Sequence, residues 1–375
     1  GRIAVEFDEA VDKDGRIDLN RNGDPTSSWH AMYNRITWDV REAGEYRLES
    51  IEPYTMKYAR IVADEGAFED VRPYVRQCRN PLVDRARFSC SDPELDRLFA
   101  AARNSVAQNA VDLFTDCPSR ERVGWLCDTY FTATAAAWLS GDFSLEQEYL
   151  LNFTRTDDFG KDIPRGAIPG FMPSRRGGVM PTYMMWYAIQ CCAAADRMAG
   201  DERASFLAAV GPRITGVFGW LSGFERDGLL EDLPGWVFVE WSKANELVQD
   251  VNFPSNMLYA ACKQAAGEMY GDDELIEQAE KMRETIRRLS YNGKFFTDNM
   301  VRNEQGVLVN PGEQTEVCQY YAFFTGTADA RTHSVLWRRL IEEFGPARRR
   351  KGLYPVIWPS NAFIGNYLRL ELLAK

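Results

Sequence analysis

Histidine is rare in this sequence: only His30 and His333 occur among 375 residues. A Ser-His-Asp triad or a histidine-rich zinc site therefore has almost no imidazole to use. The eight cysteines form no CxxC pair and have no histidine at metal-ligand spacing, so we predict free, mostly buried thiols. We expect no metal and no other cofactor.

Acidic residues outnumber basic ones, 55 to 44. The formal net charge is -11, and the sequence shows no face dense in Lys and Arg. This balance argues against nucleic acid or an anionic membrane as a partner and favours an uncharged ligand. No apolar run has the length of a membrane span, and the N-terminus lacks the features of a signal peptide. The sequence indicates neither a compartment nor an oligomeric state.

The patterns that are present change near residue 85. Before it, short segments rich in β-branched and aromatic residues predict strands at 35–40, 44–51, 55–63 and 69–77. From residue 86 onward the period is helical, and the first helix has Ser91 as its expected N-cap, with Glu94 three residues later. We predict two domains, 1–85 and 86–375.

Nine further helices are predicted by periodicity and capping signals. Several, such as "TYMMWYAIQCCAAA", are apolar on most of their circumference and need neighbours on several sides. A toroid of paired helices and an irregular bundle both satisfy that need. The predicted segments are 129–140, 144–153, 181–199, 202–224, 253–270, 273–289, 315–325, 328–344 and 360–374.

One loop, "DCPSRERVGWLCD" at 116–128, concentrates charge between two predicted helices. Pro118 discourages helix, and Gly124 permits an unusual backbone angle. Carboxyl groups crowded into a pocket raise the pKa of at least one of them, as a general acid requires. A surface loop whose charges pair locally is the alternative. The charged and aromatic residues of the loop are Asp116, Arg120, Glu121, Arg122, Trp125 and Asp128.

The loop resembles the hallmark loop of α-L-rhamnosidases of glycoside hydrolase family 78: Asp-Cys-Pro, Arg-Glu-Arg, Gly-Trp and a further Asp. That family places a β-sandwich immediately before an (α/α)6 barrel, in agreement with the change of pattern near residue 85. The resemblance implies a mainly α fold, with the C-terminal part of a β-sandwich over 1–85 and a catalytic barrel over 86–375. It also implies a carbohydrate substrate that ends in α-L-rhamnose.

Carried over by position, the resemblance makes Glu121 the general acid. Asp116 and Asp128 are then expected to bind rhamnose hydroxyls, with Arg120 or Arg122 beside them, and Trp125 to line the sugar pocket. Further aromatic residues expected around the sugar are Trp186, Trp236 and Trp241, although core packing explains each of them equally well.

The family inverts the anomeric carbon, so a second carboxylate must activate water about 6.5–9.5 Å from the acid. The sequence shows no late loop with the expected glutamate, and we expect this base beyond Lys375. Glu313 and Glu316, at the start of a helix, are weaker alternatives because acids there also act as caps. A non-catalytic sugar-binding protein and a barrel glycosidase for another sugar remain open alternatives.

Overall fold

The computed structural model describes residues 1–17, 19, 34–118, 121–173, 178–361 and 363–374. The chain forms two compact units, Gly1–Leu145 (unit 1) and Glu146–Lys375 (unit 2). Within the described ranges it is mainly α, with ten α-helices and few strands, as predicted. The predicted domain boundary at residues 85 and 86 stays a prediction.

Unit 1 begins with a three-stranded antiparallel sheet. Strand β1 (Arg2–Asp8) lies between β2 (Arg35–Asp39) and β3 (Tyr58–Glu65), with Val5 opposite both Ile36 and Ile61. The predicted strands at 44–51 and 69–77 are wrong, because both segments are irregular and almost entirely exposed. An alternating pattern stabilises a strand only when one face is buried.

The helices follow the predicted order closely. In unit 1 the first helix is capped by Asp92 rather than by Ser91: the Asp92 side chain accepts a hydrogen bond from the Glu94 N–H, and Pro93 occupies the first turn. The boundary between the two units lies within the first turn of α3. The helices are α1 (Pro93–Asn109), α2 (Leu126–Ser140), α3 (Ser144–Asn152), α4 (Pro181–Ala195), α5 (Gly200–Leu221), α6 (Phe253–Tyr270), α7 (Asp273–Ser290), α8 (Glu316–Phe324), α9 (Ser334–Glu342) and α10 (Ile364–Ala374).

The remaining elements are short. Single turns of 3-10 helix occur at Pro81–Arg85, Ser222–Phe224 and Lys243–Leu247. Further strands of two to four residues are Gly124–Trp125, Phe171–Met172, Glu225–Arg226, Leu229–Leu230, Val251–Asn252, Asn299–Arg302 and Leu308–Val309. The last of these and Val251–Asn252 flank Asn299–Arg302 in a small antiparallel sheet.

Helices α6 and α7 show how the sequence builds a helical hairpin in unit 2. Gly271 ends α6 in the left-handed conformation, and Asp272 caps α7 by accepting from the backbone N–H groups of Glu274 and Leu275. A Cβ at Gly267 would lie 2.6 Å from the Ile276 side chain, so glycine allows the two helices to pack closely. Helix α6 also packs against α4, which is buried on nearly every side.

Helix α5 differs from one expectation. Together with the turn that follows, residues 200–224 are long and apolar enough to cross a membrane by length and composition alone. Only one side of the helix is buried, through Phe206, Val210, Ile214, Val217 and Leu221. Core helices of globular proteins meet the same criterion, so this helix supports no conclusion about a membrane.

Candidate functional site

In unit 1 the loop before α2 is closed by hydrogen bonds around Cys117. The Cys117 thiol donates to the Asp116 carboxylate (2.8 Å) and accepts from the Glu121 N–H (3.3 Å), and the Cys117 carbonyl accepts from the Arg122 N–H. Burial, followed by the Asp116 hydrogen bond, raises the pKa of this thiol to about 12. Ligand atoms of Asp116, Cys117 and Glu121 lie within 4.8 Å of one another. The hydrogen bonds from Cys117 to Asp116 and from the Glu121 N–H to Cys117 hold these three residues together.

Glu121 is oriented by the indole of Trp125. The Trp125 Nε1–H donates to Glu121 Oε2 over 2.8 Å, and both side chains are partly buried. The loop thus brings Asp116, Glu121 and Trp125 together, and Asp128 follows in the first turn of α2.

The two predicted arginines have different outcomes. Arg120 lies outside the described residues, as does His30. Arg122 has a left-handed backbone, and its guanidinium group lies 4.8 Å from the Tyr54 ring centroid and 3.4 Å from a Glu52 oxygen. Its recorded side-chain contacts are therefore with residues outside the loop.

Unit 2 contains an aromatic group in the connection from α5 to α6. Trp236, Phe238 and Trp241 pack edge to face, with ring centroids 4.9–5.6 Å apart. The two indoles remain 43% and 59% exposed, so they can contact a ligand without any rearrangement. Trp186, in contrast, is completely buried in α4 against Phe324, a position that favours a core role.

Glu240 lies between Phe238 and Trp241 in the sequence and is fully buried. Its Oε1 accepts from the Gly365 N–H (2.7 Å), while Oε2 has no hydrogen-bond partner within the described ranges. A Cβ at position 365 would overlap Oε1, so this contact needs glycine. Burial raises the pKa of Glu240 to about 7. The Glu240 carboxyl group can therefore bind or release a proton near neutral pH. No local sequence pattern indicates that this side chain is buried.

We expect this proton to make the stability of the protein depend on pH. Because the pKa of Glu240 is raised from 4.5 to about 7 in the folded state, the folded protein binds a proton that the unfolded chain releases. The free energy of unfolding should fall by up to about 3 kcal/mol as pH rises from 4.5 through 7. The Glu240→Gln variant should lack this part of the fall when both proteins are unfolded by denaturant at pH 5 and pH 8. An identical pH dependence in the two proteins would contradict this prediction.

The acids near the start of α8 are tied into the structure in different ways. Asp298 is buried and accepts from both the N–H and the hydroxyl of Thr315, and its burial raises its pKa to about 7. Glu313 is exposed and accepts from the Trp358 indole over 3.2 Å. Glu316 is buried in an ion pair with Arg348 (2.8 Å). The Glu316 contacts favour a structural role over a catalytic one.

Comparison with known proteins shows which family and which solved structures the chain resembles. Residues 84–344 match the bacterial alpha-L-rhamnosidase 6 hairpin glycosidase domain. The chain is similar to the family 78 rhamnosidase of Bacillus sp. GL1, with a TM-score of 0.71 and 18% identity over 99% of this chain and 37% of that chain. It is also similar to the rhamnosidase from Klebsiella oxytoca with rhamnose bound, with a TM-score of 0.67 and 13% identity over 100% of this chain and 69% of that one.

A third similar structure is the Streptomyces avermitilis α-L-rhamnosidase complexed with L-rhamnose, with a TM-score of 0.65 and 15% identity over 100% of this chain and 33% of that one. The chain thus spans from about a third to about two thirds of the length of these proteins. At such identities the likeness shows the fold alone, and it confirms the predicted helical barrel of paired helices. No match was found among curated proteins.

Proposed function

The chain belongs to the bacterial α-L-rhamnosidase six-hairpin glycosidase family, and from this premise we propose that it hydrolyses terminal α-L-rhamnosides with inversion at the anomeric carbon. The family supports a glycoside hydrolase of the rhamnosidase type. The observation that carries the finer proposal is the pairing of Glu121 with the Trp125 indole. It fixes one carboxyl group beside an aromatic ring in a loop with two further acids.

In this proposal Glu121 is the general acid. The indole N–H that Oε2 accepts orients the carboxyl group, and the carboxyl proton passes to the glycosidic oxygen as the bond to the anomeric carbon breaks. The leaving alcohol departs neutral rather than as an alkoxide. Loss of the leaving group creates positive charge on the sugar ring, in an oxocarbenium-like transition state.

Asp116 and Asp128 are proposed to bind sugar hydroxyls and to stabilise that positive charge. The Asp116 carboxylate accepts from Cys117 and, more weakly, from the Val123 N–H (3.3 Å), and each oxygen has a second lone pair for a hydroxyl. Asp128 lies in the first turn of α2, where the helix dipole favours its ionised form. Arg120 or Arg122 is proposed to contact the substrate beside these acids, although the Arg122 guanidinium group contacts Tyr54 and Glu52 in the structure.

Inversion requires a second carboxylate that takes a proton from the attacking water. We assign that role to none of the described residues of units 1 and 2. Trp236 and Trp241 are proposed as sugar contacts in unit 2, because the exposed faces of their indoles suit the apolar face and methyl group of a deoxy sugar. Trp186 as a sugar contact stays a prediction, and its side chain is fully buried against Phe324.

A panel of aryl glycosides tests the proposed substrate. The full-length gene product should release the aryl group from α-L-rhamnoside and leave α-L-arabinoside, β-D-glucoside and α-D-mannoside largely intact. Faster turnover of any of the other sugars would reassign the barrel to that sugar. Rhamnose binding without turnover would instead identify a non-catalytic sugar-binding protein.

We expect Trp125→Phe to lower kcat by about tenfold or more. The substitution keeps an aromatic ring but removes the N–H that orients Glu121, and a hydrogen bond to a charged group contributes about 1.5–3 kcal/mol. Steady-state kinetics on an alkyl rhamnoside measure the effect. Trp138→Phe is the matched control, because that indole is 85% exposed on α2 and should be silent. A change in KM with kcat unchanged would assign Trp125 to substrate binding alone.

A further inference from the structure

We infer that a cavity in unit 2 binds a carbohydrate that carries a carboxylate, of the uronic acid class. The cavity has a volume of about 580 Å³ and lies between the connection that follows Trp241 and the segment 348–361. This volume is within the range of ordinary ligand pockets and accommodates one or two sugar rings. Trp241, proposed above as a contact of the rhamnose, also lines this cavity, and the inference adds to the proposed function a second sugar ring that carries a carboxylate.

Two exposed indoles give the cavity its affinity for sugar. Trp241 and Trp358 both line it, and 59% and 44% of their surfaces remain exposed. The Trp358 ring nitrogen donates to Glu313, which fixes the edge of the ring and leaves a face for stacking. Ser242, Ser360 and Asn361 also line the cavity and offer hydroxyl and amide groups to sugar hydroxyls.

The charge of the lining indicates an anionic ligand. Lys243, Arg348 and Arg349 line the cavity, and none of its described lining residues is acidic. Lys243 pairs with Glu246, and Arg348 is neutralised by Glu316. Arg349 is exposed and forms no ion pair with a described residue. Its guanidinium group is therefore available to form a charge-assisted hydrogen-bonded pair with a carboxylate.

This local charge stands out in a chain whose net charge is -11. Arg350 and Lys351 continue the basic run on the exposed turn next to the cavity, and they add to its positive potential. The larger cavity of unit 2, about 670 Å³, lacks this property. There Lys263 and Lys281 share the lining with Glu225 and Asp272, and Lys263 is already paired with Glu225 at 2.8 Å.

The overall charge of the chain led us to expect an uncharged ligand. For this cavity we instead infer a ligand that carries a carboxylate. Net charge averages over the whole surface, whereas a ligand responds to the groups within about one Debye length. A sugar ring stacked on an indole with its carboxylate on Arg349 satisfies both features of the lining.

Titration calorimetry with methyl β-D-glucuronoside and methyl β-D-glucoside tests the inference. At low ionic strength the glucuronoside should bind about threefold to fivefold more tightly, the scale of an ion pair made by an exposed arginine. The Arg349→Gln variant should lose this preference. The Arg350→Gln variant removes the same charge from the neighbouring exposed position, which does not line the cavity, and should keep most of it.

Three results would overturn the inference. The first is equal binding of the two glycosides, and the second is no binding of either at about 50 mM, roughly the weakest affinity that a single stacked sugar should show. The third is an equal effect of the two arginine variants. These outcomes are independent of the proposed hydrolysis. A protein that cleaves aryl α-L-rhamnoside but does not prefer the glucuronoside contradicts only the cavity assignment. A protein that prefers the glucuronoside but cleaves no rhamnoside contradicts only the proposed function.

Discussion

Glu121→Gln should lower the rate of rhamnoside hydrolysis by about 10² or more, the scale expected for loss of a general acid. The amide keeps an oxygen that can accept from the Trp125 indole, so the loop should retain its shape. What the variant lacks is a proton that can pass to the leaving oxygen. The measurement is kcat on an alkyl α-L-rhamnoside, whose leaving alcohol is strongly basic and needs protonation.

The leaving group provides an internal control for this prediction. In a 2,4-dinitrophenyl rhamnoside the leaving group is dinitrophenolate, a stable anion that needs no proton. The rate at which Glu121→Gln hydrolyses this substrate should therefore be close to the rate of the unsubstituted protein. Glu94→Gln, in an exposed part of α1, should have no effect on either substrate. An equal loss on both substrates would show that Glu121 binds or positions the sugar, without donating a proton.

Glu316→Gln should destabilise the protein by about 3–5 kcal/mol, the cost of breaking a buried ion pair by removing one partner. Glu316 and Arg348 are almost completely buried, and Arg348 also donates to the carbonyl groups of Leu353, Tyr354 and Ile357. The neutral amide would leave the guanidinium group without its counter-ion beneath this loop. Chemical denaturation followed by circular dichroism measures the loss.

Glu313→Gln is the matched control, because Glu313 is exposed and its contact to Trp358 is 3.2 Å long. We expect it to change the free energy of unfolding by less than about 1 kcal/mol. Below its melting temperature Glu316→Gln should still turn over substrate. A variant with unchanged stability and abolished turnover would make Glu316 a catalytic residue.

Much of the helical framework could be predicted because its signals are local. The prediction of helix 253–270 has both ends correct, and the predicted helix 273–289 stops one residue before the observed end at Ser290. These bounds could be predicted because Gly271 and Asp272 mark the turn between the two helices. The acid loop could be predicted for the same reason. Asp116, Glu121 and Trp125 are neighbours in sequence, and only four residues separate the first two.

The features that could not be predicted depend on distant contacts. Glu240 meets Gly365, 125 residues later, and no local pattern shows that this carboxyl is buried against a glycine. Likewise the run at 348–351 resembles a solvated charged segment. Only the fold turns Arg348 inward to Glu316 and leaves Arg349 at the cavity. The predictions of strands at 44–51 and 69–77 were wrong for the same reason. An alternating pattern does not reveal whether the segment has a neighbouring strand to pair with.

The most direct test of the proposed function is time-resolved proton NMR of the sugar that the full-length gene product first releases from an aryl α-L-rhamnoside. The account predicts β-L-rhamnose as the first anomer, followed by slow mutarotation, because a single displacement by water inverts the anomeric carbon. Initial release of α-L-rhamnose would contradict inversion. Failure to release rhamnose at all would contradict the assignment of Glu121 as the acid of a rhamnosidase.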